Sequence, residues 1–93
     1  MQHKIMQQLL QLKIIDHYGY KHQLHKLIEE MRELEAVIIN DPANEEHLQE
    51  EMADVLNVLE QIMMNRTWCG KIQTIKEFKI DRQIKRIEKE VQQ

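Results

Sequence analysis

The chain has 93 residues, which is the size of one small domain. Charged residues make up 31% of the sequence and aromatic residues 4%, and the scarcity of glycine and proline favours helices over sheets. The formal net charge of −3 gives no support for binding to a nucleic-acid polymer, and no stretch approaches the ~18 consecutive apolar residues of a membrane span.

Two helices are predicted in the first half of the chain. Residues 2–16 form the first, and Gly19 is a typical residue for the end of a helix. The second runs from about Lys21 to Ile39. Its apolar side chains recur at intervals of three and four residues, as on one face of a helix: Leu24, Leu27, Met31, Leu34, Val37 and Ile38.

Acidic residues interrupt the apolar face of this second helix. On a helical wheel Glu30 projects between Leu34 and Val37, and Glu33 borders the same face. A carboxylate directed at a core is costly unless something pairs with it. Lys26 lies one turn before Glu30, where an ion pair between the two is favoured over contact with a phosphate.

A third helix follows a turn at residues 40–43. Asp41 is the predicted N-cap of this helix, with Pro42 at its first position, and the helix is expected to run to about Met64. Its apolar residues have the same helical spacing: Leu48, Met52, Val55, Leu56, Leu59, Ile62 and Met63.

The third helix also carries acids at its apolar face. Glu51 falls inside the face and Asp54 lies at its edge. If the second and third helices pack antiparallel, four carboxylates converge and repel one another at neutral pH, so the cluster requires a cation. Hard oxygen ligands of this kind suit Mg²⁺ or Mn²⁺, which also bind phosphate oxygens.

The last part of the chain is less regular. Residues 65–70 predict a loop, and a helix break is expected near residues 79–81, because two apolar stripes on either side of this point are rotated relative to one another. The first stripe contains Ile72, Ile75 and Phe78, and the second contains Ile80, Ile84, Ile87 and Val91. Basic side chains lie opposite the second stripe: Lys79, Arg82, Lys85, Arg86 and Lys89.

The four acids resemble a known signature. The chain contains Glu30-x-x-Glu33 and, after seventeen further residues, Glu51-x-x-Asp54. This arrangement is similar to the E-x-x-E…E-x-x-D pattern of the MazG-like nucleotide pyrophosphohydrolases. These enzymes belong to the all-α NTP pyrophosphatase superfamily. The sequences around the two acid pairs also resemble the motif helices of that family, and the similarity covers roughly residues 18–65.

The resemblance implies a fold and an activity. The chain would form a single domain over residues 1–93, an all-α small helical bundle completed by homo-oligomerisation to a dimer or tetramer. Self-association also follows from the helices themselves, because their apolar faces are too wide for one short chain to cover. The implied reaction is Mg²⁺-dependent hydrolysis of a nucleoside triphosphate, NTP or dNTP, to the monophosphate and pyrophosphate, for house-cleaning or control of nucleotide pools.

The resemblance also implies which residues form the site. The metal-binding and catalytic set consists of Glu30, Glu33, Glu51 and Asp54. Mg²⁺ is the expected cofactor, Mn²⁺ could replace it, and hydrolysis in this family is attributed to metal-activated water. The resemblance carries phosphate contacts over to Lys79, Arg82 and Arg86. Lys26 is added to this set because of its position before Glu30, and Trp68 and Tyr18 are expected to stack on a base because aromatic side chains commonly do so beside nucleotides.

Other interpretations of the sequence remain open. The acids could lie on an ordinary exposed helix surface, and the chain could be a non-catalytic helical dimerisation module. A di-iron carboxylate bundle is disfavoured because it needs Glu-x-x-His pairs, which this sequence lacks. Within the enzyme class, a dUTPase-like specificity competes with the phosphoribosyl-ATP pyrophosphohydrolase of histidine synthesis.

A single cysteine and the lack of an apolar signal segment lead us to expect a cytoplasmic protein with neither a membrane nor a nucleic-acid partner.

Overall fold

The computed structural model describes residues 2–92 and contains four α-helices over that range, without a strand. They are α1 (Gln2–Tyr18), α2 (Tyr20–Asn40), α3 (Glu45–Asn65) and α4 (Cys69–Gln92). The predicted all-α class is therefore confirmed. Over the described part of the chain, each helix is either too short or too polar to cross a membrane.

A single glycine joins α1 to α2. Gly19 has a φ of 92°, which lies in the left-handed region that glycine adopts without steric cost. Its N–H donates to the Ile15 carbonyl at 2.7 Å and its carbonyl accepts from the Gln23 N–H at 3.1 Å. The same residue therefore ends α1 and starts α2, and α1 runs two residues beyond its predicted end.

The turn between α2 and α3 differs from the expected one. The Asp41 N–H donates to the Val37 carbonyl at 2.8 Å and so ends α2. The cap of α3 is Asn44, whose side chain accepts from the His47 N–H at 3.0 Å. The prediction that Asp41 caps α3 and that Pro42 is its first residue is wrong, because Asp41 and Asn44 close a turn around the proline. The Asp41 carboxylate instead accepts from the Asn44 amide at 3.1 Å.

The core lies where α1, α2 and α3 meet. Gln23 contacts Gln61, and Glu30 lies beside Asp54, so α2 and α3 run antiparallel. The helix α1 packs on both of them. The buried apolar cluster is small and has two further side chains packed against it: Ile15, Val58 and Ile62, with Tyr20 and Leu27.

The helix α4 is continuous, and the predicted break near residues 79–81 is wrong. The Lys85 ammonium lies 3.0 Å from the Asp81 carboxylate, and the Arg82 guanidinium lies 5.9 Å from the Phe78 ring centroid, so contacts one turn apart span the expected break. This segment contains neither glycine nor proline, and a change in the apolar side of a helix does not require its backbone to stop. None of the described α4 residues is buried.

The loop before α4 is shorter than predicted, since it contains only residues 66–68. Thr67 has a φ of 57°, in the left-handed region. The Trp68 carbonyl accepts from the Ile72 N–H at 2.9 Å, which places Cys69 and Gly70 in the first turn of α4.

The folded chain exposes much more surface than a compact monomer of its length. Its accessible surface is 7869 Å², whereas about 5,700 Å² is expected for this mass. Its radius of gyration is 16.7 Å, whereas about 12 Å is expected for a globular domain of this length. Large apolar side chains are exposed on α2 and α3 as well as on α4, among them Ile28, Met31, Met52 and Leu56.

Candidate functional site

Carboxylates from α2 and α3 converge between the two helices. Glu30 of α2 and Glu51 and Asp54 of α3 each place one oxygen so that the three oxygens lie within 4.8 Å of one another. The antiparallel packing of α2 on α3 causes this convergence, because it sets the middle of one helix against the middle of the other. Three of the four acids expected in the site are thus brought together.

Burial distinguishes these three acids. Glu30 is only 6% exposed, Glu51 is half-buried, and Asp54 is exposed. Glu30 Oε2 and Glu51 Oε2 are both buried without a hydrogen-bond partner among residues 2–92. A buried carboxylate oxygen without a partner is unfavourable. Both oxygens are hard ligands of the kind that Mg²⁺ and Mn²⁺ prefer, so the residues present fit a divalent cation.

Within residues 2–92, basic side chains contact the other carboxylate oxygen of Glu30 and of Glu51. Lys26 Nζ lies 3.2 Å from Glu30 Oε1 and 3.6 Å from Glu29 Oε1. The hydrogen bond to Glu30, followed by the charge of Glu29, raises the pKa of Lys26 above its ordinary value. His47 Nε2 lies 3.5 Å from Glu51 Oε1. The expected ion pair between Lys26 and Glu30 is therefore present, and it leaves Oε2 of Glu30 without a partner in the described part of the chain.

Glu33, the fourth expected acid, lies at the margin of the cluster. It is exposed and is not one of the three residues whose oxygens lie within 4.8 Å. The negative charge of Glu30 and, to a smaller extent, burial raise the pKa of the Glu33 carboxyl above its ordinary value of 4.5, and Glu51 adds to the effect. Glu33 is therefore close enough for the charges of the other acids to affect its pKa.

A cavity of about 430 Å³ opens beside the acids. Lys26, Glu30 and Asp54 line one part of it. Side chains of α1, α2 and α3 line the rest, among them Tyr18, His22, Gln23, Asn57 and Gln61. The rings of Tyr18 and His22 are stacked, with centroids 4.9 Å apart and an interplanar angle of 17°. Of the two aromatic residues expected near a base, Tyr18 therefore lies beside the acids.

A buried network of amides next to the acids was not predicted. Gln23 and Gln61 are 4% and 5% exposed, and Gln23 Nε2 donates to Gln61 Oε1 at 2.6 Å. Gln61 Nε2 donates in turn to Gln11 Oε1 at 2.7 Å. A signal was available, because Gln23 lies seven residues before Glu30 and Gln61 seven residues after Asp54. Two turns along a helix return a side chain to nearly the same face.

Trp68, the other aromatic residue expected near a base, lies in a different contact. Its ring packs edge-on against Tyr20, with centroids 6.3 Å apart. The Arg66 guanidinium lies 4.6 Å from the Tyr20 ring centroid and 5.7 Å from that of Trp68. This cluster joins the start of α2 to the loop before α4, and Trp68 does not line the cavity beside the acids.

The α4 residues expected to contact phosphates are not brought to the acids within one chain. Lys79, Arg82 and Arg86 are exposed, and none of them lines the cavity beside the acids. The helix α4 lacks the extensive packing that joins α1, α2 and α3. Of the four residues expected to contact phosphates, only Lys26 lies beside the acids.

The features that bear on function are the convergent carboxylates, the cavity beside them and the amide network. Comparison of the chain with protein-family models, with curated proteins and with solved structures finds no match.

Proposed function

We propose that this chain is a Mg²⁺-dependent nucleoside triphosphate pyrophosphohydrolase of the cytoplasm, which converts an NTP or dNTP to the monophosphate and pyrophosphate. The observation that carries the proposal is the buried Oε2 of Glu30, which has no hydrogen-bond partner within residues 2–92 and lies in a cluster with Glu51 and Asp54. The resemblance of the two acid pairs to the MazG-like signature supports the same reaction.

The acids and Lys26 would have different roles in such a site. Glu30, Glu51 and Asp54 would hold Mg²⁺, with Glu33 at the margin. When bound, Mg²⁺ neutralises charge on the phosphates and makes water more acidic. One of the carboxylates accepts the proton that the attacking water loses, and Asp54 and Glu33 are the two that are exposed. The Lys26 ammonium lines the same cavity, where it can contact a phosphate oxygen.

Self-association completes the proposed enzyme. The surface in excess of a compact monomer is about 2,000 Å² per chain. If each of two chains buried that area, the total buried area would match that of the larger interfaces of obligate homodimers. The exposed apolar side chains on α2 and α3 supply a suitable face, among them Leu24, Ile28, Met31, Met52 and Leu56. A homodimer or a dimer of dimers built on this face would place the acid cluster beside the interface.

The same exposed faces favour one alternative, a non-catalytic helical interaction module. The helix α4 in particular has 24 residues, none of them buried, as expected of a helix that packs against another protein. A titration with Mg²⁺ or Mn²⁺ separates the two functions, because the enzyme binds a divalent ion through its acids and the interaction module does not.

The activity test uses Glu51→Gln and Asp54→Asn with a panel of nucleoside triphosphates and detection of pyrophosphate. We expect the wild-type chain to release pyrophosphate only with Mg²⁺ or Mn²⁺, and each variant to lose this activity while it keeps the helical circular-dichroism spectrum. The matched control is Glu35→Gln, an exposed site on α2 outside the cluster, which removes the same charge and should keep full activity. Full activity in both cluster variants would refute the assignment of the site.

A further inference from the structure

We infer that α4 packs in parallel against the α4 helices of other copies of this chain, through a coiled-coil seam in its second half. The seam, called here the α4 seam, consists of four apolar side chains: Ile80, Ile84, Ile87 and Val91. This contact is separate from the face of α2 and α3 proposed above for self-association, and it does not depend on the proposed hydrolysis.

The α4 seam is uncovered in the single chain. Its four side chains are between 44% and 80% exposed. The helix is attached to the rest of the fold at its start, where Trp68 packs on Tyr20 and Ile72 is half-buried. Every residue from 73 to 92 is exposed. The second half of α4 is therefore a helix that has formed without covering its apolar stripe.

The spacing of the stripe is that of a coiled coil. Its residues follow one another at intervals of four, three and four, which are the intervals between the d and a positions of a heptad. Ile80 and Ile87 are then d positions, and Ile84 and Val91 are a positions. At 100° per residue the four occupy an arc of about 60°, whereas a helix that packs on a globular core presents about 100° or more. The preceding a position is Glu77, so the seam begins at Ile80.

The charged residues beside the seam favour a parallel arrangement. In a parallel coil each g position faces the e position five residues later on the neighbouring helix. Lys76 at g then faces Asp81 at e, which is an attractive pair, and Gln83 faces Glu88 without repulsion. In an antiparallel pair the e positions face each other, so Asp81 would lie against Glu88 on both sides of the pair.

The composition and length of the seam indicate how it associates. Isoleucine at both d positions and at one a position favours three or four helices over two, in agreement with a tetramer rather than a dimer. The seam is only twelve residues long, so it associates weakly by itself. A contact elsewhere on the chain that holds the helices near one another would strengthen it.

A lipid surface fits the same stripe less well. A helix that lies on an anionic membrane needs a broad apolar face with basic residues that reach the lipid headgroups. The residues beside this narrow stripe include three acids, Asp81, Glu88 and Glu90. The basic side chains of the second half of α4 lie on the opposite side of the helix, away from a membrane that covered the stripe.

Disulfide cross-linking tests the parallel arrangement, in a Cys69→Ser background that removes the natural cysteine. A parallel coil brings two copies of position 91 side by side, within reach of a disulfide. We therefore expect Val91→Cys to form a covalent dimer on mild oxidation. Lys89→Cys is the control, because it lies two residues away on the opposite side of the helix and should remain largely reduced. A covalent product that forms only when Val91→Cys is mixed with Ile80→Cys would indicate an antiparallel pair and overturn the inference.

A charge reversal tests the same arrangement independently. Asp81→Lys turns the attraction to Lys76 in a parallel coil into repulsion, and turns the repulsion by Glu88 in an antiparallel pair into attraction. We expect it to abolish most of the cross-linking through Val91→Cys. Asp81→Lys also removes the exposed ion pair of Asp81 with Lys85. Lys85→Gln removes that pair alone and should leave the cross-linking unchanged.

Sedimentation equilibrium of the otherwise unchanged chain measures the contribution of the seam to assembly. We expect Ile84→Gln combined with Ile87→Gln to lower the mass of the assembly by about half or more while the helical circular-dichroism spectrum is kept. An unchanged mass, or a wild type that is monomeric and gives no cross-link through Val91→Cys, would overturn the inference. So would binding of wild type to vesicles of phosphatidylserine and phosphatidylcholine that the double variant loses, without a cross-link through Val91→Cys, because the stripe would then face lipid.

Discussion

Glu30 has one carboxylate oxygen in an ion pair with Lys26 and another that is buried without a partner among the described residues. Two further acids place oxygens within 4.8 Å. Two unit charges about 5 Å apart repel by roughly 3 kcal/mol at an effective dielectric of 20. Solvent reduces this strongly for an exposed group such as Asp54. Glu30 is buried and Glu51 is half-buried, so solvent screens the repulsion between these two less, and a cation bound to both would relieve it.

This repulsion can be measured through Asp54→Asn. We expect wild type to melt at a higher temperature with millimolar Mg²⁺ or Mn²⁺ than with a chelator at matched ionic strength, because an ion that binds only the folded state stabilises it. In chelator the variant should be at least as stable as wild type, and it should lose much of the response to metal. Glu35→Gln, which removes an exposed charge outside the cluster, should keep the full response. Equal melting temperatures of wild type with and without metal would contradict the cation site.

Single helices show how local chemistry decides boundaries. The prediction of a break in α4 came from a change in the side of the helix that carries apolar residues. The backbone nevertheless continues through Lys79, Ile80 and Asp81, since each of them is compatible with helix, and the contact between Phe78 and Arg82 spans the position. A change of apolar face can therefore occur within a continuous helix, and it does not by itself predict an interruption.

The start of α3 gives a test at this scale. Asn44→Ala removes the acceptor for the His47 N–H, and we expect the free energy of unfolding to fall by about 1 kcal/mol. Asn44→Ser keeps a side-chain oxygen at the cap and should retain most of the stability. Urea denaturation followed by circular dichroism provides the measurement. Equal stability of Asn44→Ala and wild type would show that Asn44 is not the cap.

At the scale of the whole molecule, the folded chain leaves apolar faces uncovered. Among the described residues, the buried apolar cluster consists of Ile15, Val58 and Ile62. Fully burying one such side chain is worth about 1.5–3 kcal/mol, and folding opposes this with the conformational entropy of the whole chain. A second copy that covered the exposed faces of α2 and α3 would add the apolar burial that a single chain lacks.

Self-association can be tested by sedimentation equilibrium at micromolar concentration. We expect wild type to form a dimer or tetramer, and Ile28→Lys and Leu56→Lys to shift it towards the monomer. These side chains are 43% and 55% exposed in the single chain, so the substitutions would disrupt an interface with little loss from the core. Gln8→Lys, at an exposed position of α1, is the control for the added charge. A wild type that remains monomeric at these concentrations would contradict the proposed assembly.

The sequence by itself determined the approximate extents of α1, α2 and α3 and the phase of the acids on α2 and α3. Each residue advances about 100° around a helix, so the positions of Glu30 and Glu51 within apolar faces follow from the spacing of their neighbours alone. The all-α class follows in the same way from composition and periodicity. The cap of α3 was missed because Asp41 and Asn44 are both good caps, and only the closed turn around Pro42 decides between them.

Only the tertiary structure decided which acids meet and what surrounds them. Glu30 and Glu33 lie on neighbouring faces of α2, and the approach of α3 buries the first and leaves the second exposed. The amide network needs three helices at once, so no spacing within one helix could specify the bond between Gln61 and Gln11. Periodicity describes the faces of a helix, whereas the choice of a partner for each face depends on contacts between residues far apart in the chain.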